Sequence, residues 1–208
     1  MEKLMPKLTP ETTSARKTQI LLAALACFSD GGYTRTTMDE IVRQAGLSKG
    51  SIYTYFDSKK SLYLTLLEKL LSDTGLITAL GSPSLSSRQR LAAAMDNMIA
   101  FTTTPAYQEY AAFLMDAWTM SQVNPDIRQK LTVNYSQLRD AFQQLIQSAI
   151  DKGEFIDVNA AALAQVFIAI FDGLMVQFIL DPDAVDWKLA AATIQRSWMD
   201  GLSTNKQS

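Results

Sequence analysis

Thr36-Thr37-Met38-Asp39-Glu40-Ile41-Val42-Arg43-Gln44-Ala45-Gly46-Leu47-Ser48-Lys49-Gly50-Ser51-Ile52-Tyr53-Thr54-Tyr55-Phe56 is the stretch on which the reading of this 208-residue chain turns. Thr37-x-x-Glu40 has the form of a capping box: the Thr37 hydroxyl accepts from the Glu40 N–H, and the Glu40 carboxylate reaches back to the Thr37 N–H. That starts a short helix whose apolar side is Ile41, Val42 and Ala45, with Asp39, Arg43 and Gln44 facing water. Gly46 suits the left-handed conformation that ends a helix. Leu47 fills the turn, and Ser48 can cap a second helix by accepting from the Gly50 or Ser51 N–H. In the second helix Ile52 and Phe56 share a core face. Lys49, Ser51, Tyr53 and Tyr55 cannot all share it, so several project outward. Gly50 leaves the helix start bare, where a phosphate or base edge can approach the exposed N–H groups. Two short helices joined by a Gly-containing turn form a helix-turn-helix, and the DNA major groove, about 12 Å wide, admits one α-helix. Spacing alone leaves a DNA reader and an ordinary helical hairpin equally open.

The pattern continues outward. Ile20-Leu21-x-Ala23-Ala24-x-x-x-Phe28 and Gly32-Tyr33-x-x-Thr36-Thr37 lead into it, and Ser58-Lys59-x-x-Leu62 follows. Together with Ile41-x-x-x-Ala45-Gly46-Leu47-Ser48-x-Gly50-x-x-Tyr53-x-Tyr55-Phe56, the segment from Arg16 to Leu67 resembles the DNA-binding domain of the TetR (tetracycline-repressor) family of bacterial transcription regulators, with no break in the pattern. The resemblance implies that Lys49, Gly50 and Ser51 approach bases and phosphates. It implies that Tyr53 contacts phosphate through its phenol and that Tyr55 touches the backbone or a base. Lys59 matches a phosphate-contacting lysine. Thr37 matches a phosphate-contacting position, a role compatible with capping its own helix. Beyond this segment the resemblance is one of architecture only.

Charge is divided unevenly. Residues 1–60 hold 9 Lys/Arg against 6 Asp/Glu, a net +3, and residues 61–208 hold 10 against 15, a net −5. The basic part is the part with the motif, as phosphate binding requires. Lys3, Lys7, Arg16 and Lys17 are further candidates for backbone contacts, and the tail before Ser14, with Pro6 and Pro10, reads as flexible. The chain contains no His, which excludes His triads, His general bases and His metal ligands. One cysteine, Cys27, makes neither an internal disulfide nor a thiolate zinc site. It reads as a small hydrophobe, with a redox-sensing thiol as the alternative. No secretory segment and no apolar run long enough to span a bilayer is evident. The expectation is a bacterial cytoplasmic protein that is not an enzyme, uses no cofactor and meets no membrane.

Helical periodicity dominates the rest, giving an all-α expectation of about nine helices. The division reads as 1–60 for an N-terminal arm and a three-helix helix-turn-helix domain, and 61–208 for a helical effector-binding and dimerisation domain. Helices are expected over Ser14–Asp30, Ser58–Leu80, Ser86–Thr103, Pro105–Ser121, Pro125–Lys152, Val158–Leu180 and Ala184–Leu202. The helix before Asp181 is apolar over most of its circumference and needs cover on more than one side. The family resemblance implies a homodimer built on the last two helices, and Ile168, Met175, Ile179, Trp187, Ile194 and Trp198 are expected at that interface. A thick core within one protomer is the alternative. The resemblance also implies an inducer pocket, for which Phe101, Phe113, Trp118, Phe142 and Phe171 are the expected lining. Asp116 and Asp172 would each pair a cationic ligand or meet a Lys or Arg. The whole reads as a ligand-responsive repressor that binds a palindromic double-stranded operator and is released by a small, largely hydrophobic effector. An activator of the same fold, or a helical ligand-binding protein without DNA function, are the alternatives.

Overall fold

The computed structural model describes residues 10–73 and 84–202, the side chains of residues 10, 11, 73 and 198–200 excepted. Among these residues the chain is all-α, with nine helices longer than a single turn. The first, α1 (Pro10–Arg35), begins earlier than the expected Ser14. Proline is tolerated in a first turn because its missing N–H would have no intrahelical partner, so Pro10 to Thr13 are helical rather than part of a loose tail. Lys3 and Lys7 lie outside the described residues. α1 breaks at Gly32, where φ is +68° and ψ 169°, a backbone geometry that only glycine adopts without strain.

The helix-turn-helix forms by the local interactions its sequence announces. α2 (Met38–Ala45) opens on the Thr37/Glu40 capping box: Glu40 N–H donates to Thr37 Oγ1 over 3.2 Å, and Thr37 N–H donates to Glu40 Oε2 over 2.7 Å. The Thr37 N–H and the Thr37 hydroxyl, which donates to the same Oε2 over 3.0 Å, together hold the Glu40 carboxyl below its usual pKa. Gly46 ends α2 at φ +63°. α3 (Lys49–Tyr53) is capped by Ser48, whose hydroxyl accepts from the Ser51 N–H over 3.2 Å.

α4 (Lys59–Asp73) leads away from the motif; the expected continuation to Leu80 lies outside the described residues. α5 (Ser87–Thr102) starts on a Ser86/Gln89 capping box. α6 (Ala106–Met120) and α7 (Pro125–Asp151) follow, the latter capped by Asn124 with Pro125 at its first position. α8 (Ala160–Leu180) starts at the Asn159 cap rather than at Val158. A 3-10 turn over Pro182–Ala184 delays α9 (Trp187–Ile194) beyond the expected Ala184, because Asp186 supplies its cap. A π-turn over Gln195–Met199 and a final turn over Asp200–Leu202 complete the described chain.

Two apolar cores hold these helices. The first joins Ile20, Ala24 and Phe28 of α1 to Ile41, Ile52, Tyr63, Leu66 and Leu67, and continues without interruption into Phe113 and Ala117 of α6. The second packs Leu91 and Met95 of α5 with Phe142 and Ile146 of α7 and Ala164 and Phe167 of α8. Phe142 and Phe167 stack with centroids 5.9 Å apart.

α8 corrects two expectations. Its 21 residues, with a mean hydropathy of 2.0, are by length and composition enough to cross a bilayer, contrary to the sequence reading. Nor do the expected interface residues lie on its open side. Ile168, Met175, Trp187 and Ile194 are all buried within the protomer, and Ile179 packs on the first core. The side chain of Trp198 lies outside those described. Large residues on a strongly apolar helix go to whichever face packs first, and here α7 and α6 claim them. The open face carries Val166 (44 % exposed) and Leu180 (80 %), continued on α9 by Leu189 (65 %), with the small residues Ala162, Ala169 and Gly173 between.

Candidate nucleic-acid interface and internal cavity

The N-terminal ends of α2 and α3 form one exposed surface. Thr37, Lys49 and Gly50 are exposed there, Ser51 is half-exposed, and the Tyr53 side chain projects outward at 40 % exposure. Lys49 Nζ lies 2.7 Å from Asp39 Oδ1, which ties the start of α3 to the start of α2 and raises the lysine's pKa. Asp39 had no visible role in the sequence, since the pair forms only when the turn brings the two helix starts together.

Gly50 has open space around it: a Cβ placed there meets no atom within 4 Å. Protein packing therefore does not require glycine. Gly50→Ala should leave thermal stability unchanged or raise it by up to about 1 kcal/mol through helix propensity. If a nucleic-acid backbone approaches at this point, the same change weakens DNA binding several-fold. Stability and affinity moving together in a melting and binding comparison would refute the close approach.

Lys59 and Tyr55 are placed differently from the expectation. Lys59 Nζ donates to the carbonyls of Tyr33 and Thr36, each over 2.7 Å, and of Thr34 over 3.5 Å, and sits 4.5 Å from the centre of the Tyr33 ring. Its donors are spent on carbonyls in the last turn of α1 and at the start of the link to α2, so it positions that segment. Tyr55 is half-buried against the first core, with its hydroxyl enclosed. Lys17 lies over the Phe56 ring at 5.8 Å. Lys60, the neighbouring cation, pairs with Asp126. Cys27 is half-buried, and burial, followed by Glu40, pushes its thiol pKa up, away from the reactive thiolate.

Between α4, α5, α6, α7 and α8 lies an apolar cavity of about 70 Å³. Phe101, Phe142 and Phe171 line it. Phe113 does not: it is fully buried between α1 and α4, with its ring centroid 4.6 Å from that of Tyr63. Trp118 packs on the first core instead. The polar lining is Tyr110, Asn134, Tyr135 and Asp172. Tyr135 Oη donates to the Asp172 carboxylate, 3.1 Å from each oxygen. Burial nonetheless dominates and lifts the Asp172 pKa to about 6, against a smaller lowering by the Tyr135 hydrogen bond. The Tyr110 and Tyr135 hydroxyls are pushed up by burial and by the Asp172 charge. Asp116, the other carboxylate considered, faces away from this cavity and meets neither Lys nor Arg: it accepts from the Tyr33 N–H and the Tyr63 hydroxyl.

An exposed helix N-terminus in a capped helix-turn-helix, on a wholly helical frame, defines a DNA-binding transcriptional regulator. Residues 20–66 match the family described as bacterial regulatory proteins, tetR family, and residues 87–202 match the C-terminal region of BetI-type transcriptional repressors. The chain belongs to the TetR family. It is 30 % identical over 184 residues to the uncharacterised HTH-type regulator YfiR of Bacillus subtilis, covering 83 % of this chain and 84 % of that protein. It is 27 % identical over 210 residues to the regulator BetI 2 of Chromohalobacter salexigens, covering 97 % and 94 %. Among solved structures, a transcriptional regulator of Saccharomonospora viridis in complex with choline superposes with a TM-score of 0.79 at 21 % identity, over 92 % of this chain and 100 % of that one.

Proposed function

We propose that this regulator is a ligand-responsive repressor that binds a palindromic operator as a twofold dimer, in the bacterial cytoplasm, and leaves it when a small, largely apolar effector occupies the cavity. Residues 1–60 read DNA and residues 61–208 bind effector and partner. The observation that carries the effector reading is the half-buried Asp172 in a chamber lined mainly by aromatic and aliphatic residues. A lone carboxylate in apolar surroundings favours a ligand that brings a cation or a hydrogen-bond donor to it. Phe101, Tyr110, Tyr135 and Phe171 are aromatic residues of the chamber wall, the residue type that attracts such a cation. Choline, held by the Saccharomonospora relative in fold, is a ligand of that kind. The match of residues 87–202 to BetI-type repressors supports repression over activation.

At about 70 Å³ the cavity is smaller than any such effector, since ordinary ligand pockets run to about 300 Å³ or more. Occupancy must therefore move its walls. The effector shifts the dimer toward a form with wrongly spaced recognition helices, by binding that form better than the DNA-bound one.

Base recognition is assigned to Lys49 and Ser51, phosphate contact to Tyr53 and Thr37, and close backbone approach to Gly50. Duplexes selected from a randomised pool by the wild-type protein test this. Tyr53→Ala should weaken binding to all selected duplexes alike and reduce the slope of affinity against salt by about one counterion. Lys49→Ala or Ser51→Ala should change which bases are selected. An unchanged preference in both variants would refute direct readout by these two residues.

A further inference from the structure

We propose that Asp116 is the positioning residue that fixes the helix-turn-helix relative to the effector-binding helices and transmits cavity occupancy to it. A single carboxylate oxygen of α6, Asp116 Oδ2, accepts from two other elements. One donor is the Tyr33 N–H, just past the break in α1, over 3.1 Å, and the other is the Tyr63 hydroxyl of α4, over 2.8 Å. The second oxygen lies against the break itself: a Cβ at Gly32 would stand 2.9 Å from Asp116 Oδ1, at a residue whose φ is already +68°. Glycine is needed at 32 both for that conformation and for the carboxylate to come so close.

The anchor reaches the reading helices in two steps. Immediately after Tyr33, the buried Thr36 shares its hydroxyl proton between the carbonyls of Cys27 and Gly32, at 3.0 and 2.8 Å, and Thr37 caps α2. Lys59, one turn before Tyr63 on α4, binds the Tyr33 and Thr36 carbonyls from the other side. The Tyr33, Tyr63, Phe28 and Phe113 rings pack around the same point, with the Tyr33 and Tyr63 centroids 4.9 Å apart. The other end of each lever is in the cavity. α6 carries Tyr110 and Leu114 in the cavity wall, and α4 carries Leu71. Tyr110 and Asp116 are separated by about 9 Å of helix, and Leu71 and Tyr63 by about 12 Å. A helix is stiff over such lengths, so a wall displaced by ligand moves the Asp116 carboxylate, the Tyr33 amide and the Tyr63 hydroxyl relative to one another.

The inference rests on the reading that two helix-turn-helix units bind DNA as a twofold pair. Its test is spacing selectivity. The wild-type protein selects a duplex, and binding is then measured to that duplex, to versions with one base pair added or removed between half-sites, and to a single half-site. Asp116→Leu should bind the selected spacing about tenfold more weakly, as expected for losing hydrogen bonds to a charged acceptor, with half-site binding unchanged and the penalty for wrong spacing flattened. Tyr63→Phe, which deletes one donor without changing ring volume, should move in the same direction by a smaller factor. It serves on its own if the leucine variant does not fold. Asp116→Asn, which keeps an acceptor oxygen, should restore most of the selectivity. Variants that melt earlier but retain wild-type spacing discrimination would overturn the proposal and leave Asp116 a stabilising contact. Wild-type protein that shows no spacing preference would instead overturn the twofold reading, and this proposal with it.

Discussion

Leu180→Arg combined with Leu189→Arg should convert the proposed dimer to monomer in sedimentation equilibrium, and lower its affinity for a palindromic duplex by at least about a hundredfold, the usual scale of lost bivalency. The two leucines are 80 % and 65 % exposed and lie on the open face of α8 and α9. Only 17 % of the most apolar stretch of α8 is buried within the protomer, so the helix leaves a long apolar strip in contact with water. Val166 and the small residues Ala162, Ala169 and Gly173 let a second helix come close, and self-association through a twofold axis covers both copies at once. Neither leucine is in a core, so the arginines should leave the fold and half-site binding intact. A wild-type protein that is monomeric at micromolar concentration, or that partitions onto phospholipid vesicles, would refute dimerisation through this face.

Asp172→Asn should raise stability at pH 7 and remove the preference for cationic ligands. The Asp172 pKa is lifted to about 6 from 3.8, chiefly by burial. Folding therefore takes up a proton between these two values, and stability falls as pH rises through that window. The wild-type protein should lose on the order of 2 kcal/mol between pH 4 and 7 from this group, and the asparagine variant should lack that component. In thermal-shift measurements, choline and other small ammonium compounds should stabilise the wild-type protein more than their neutral carbon isosteres do. The difference should vanish in Asp172→Asn. Equal shifts for charged and neutral members in the wild-type protein would remove the cationic reading and leave a purely apolar effector.

Legibility followed the range of the interactions. The Thr37/Glu40 box, the Gly46 stop, the Ser48 cap and the Asn124-Pro125 start each join residues within a few positions of one another, and each forms as read. The placement of Lys59 was not legible because its partners, the carbonyls of Tyr33 and Thr36, lie far back in the chain. Phe113 and Phe101 look alike as aromatic residues near the middle of the chain. One is locked between α1 and α4 and the other opens on the cavity, a difference set by which helix each meets.

The amino-acid sequence by itself determined the all-α architecture and the helix-turn-helix, because caps, turns and helical periodicity are written in neighbouring residues, and its motif carried the resemblance to the family. Only the tertiary structure decided which residues of the apolar α8 are core and which are free, where the cavity lies and which carboxylate faces it. It also showed that Asp116 is spent on joining α6 to α1 and α4. A helix that is apolar on most sides carries no mark of which side its neighbours take, and a carboxylate shows its partner only once distant segments have packed.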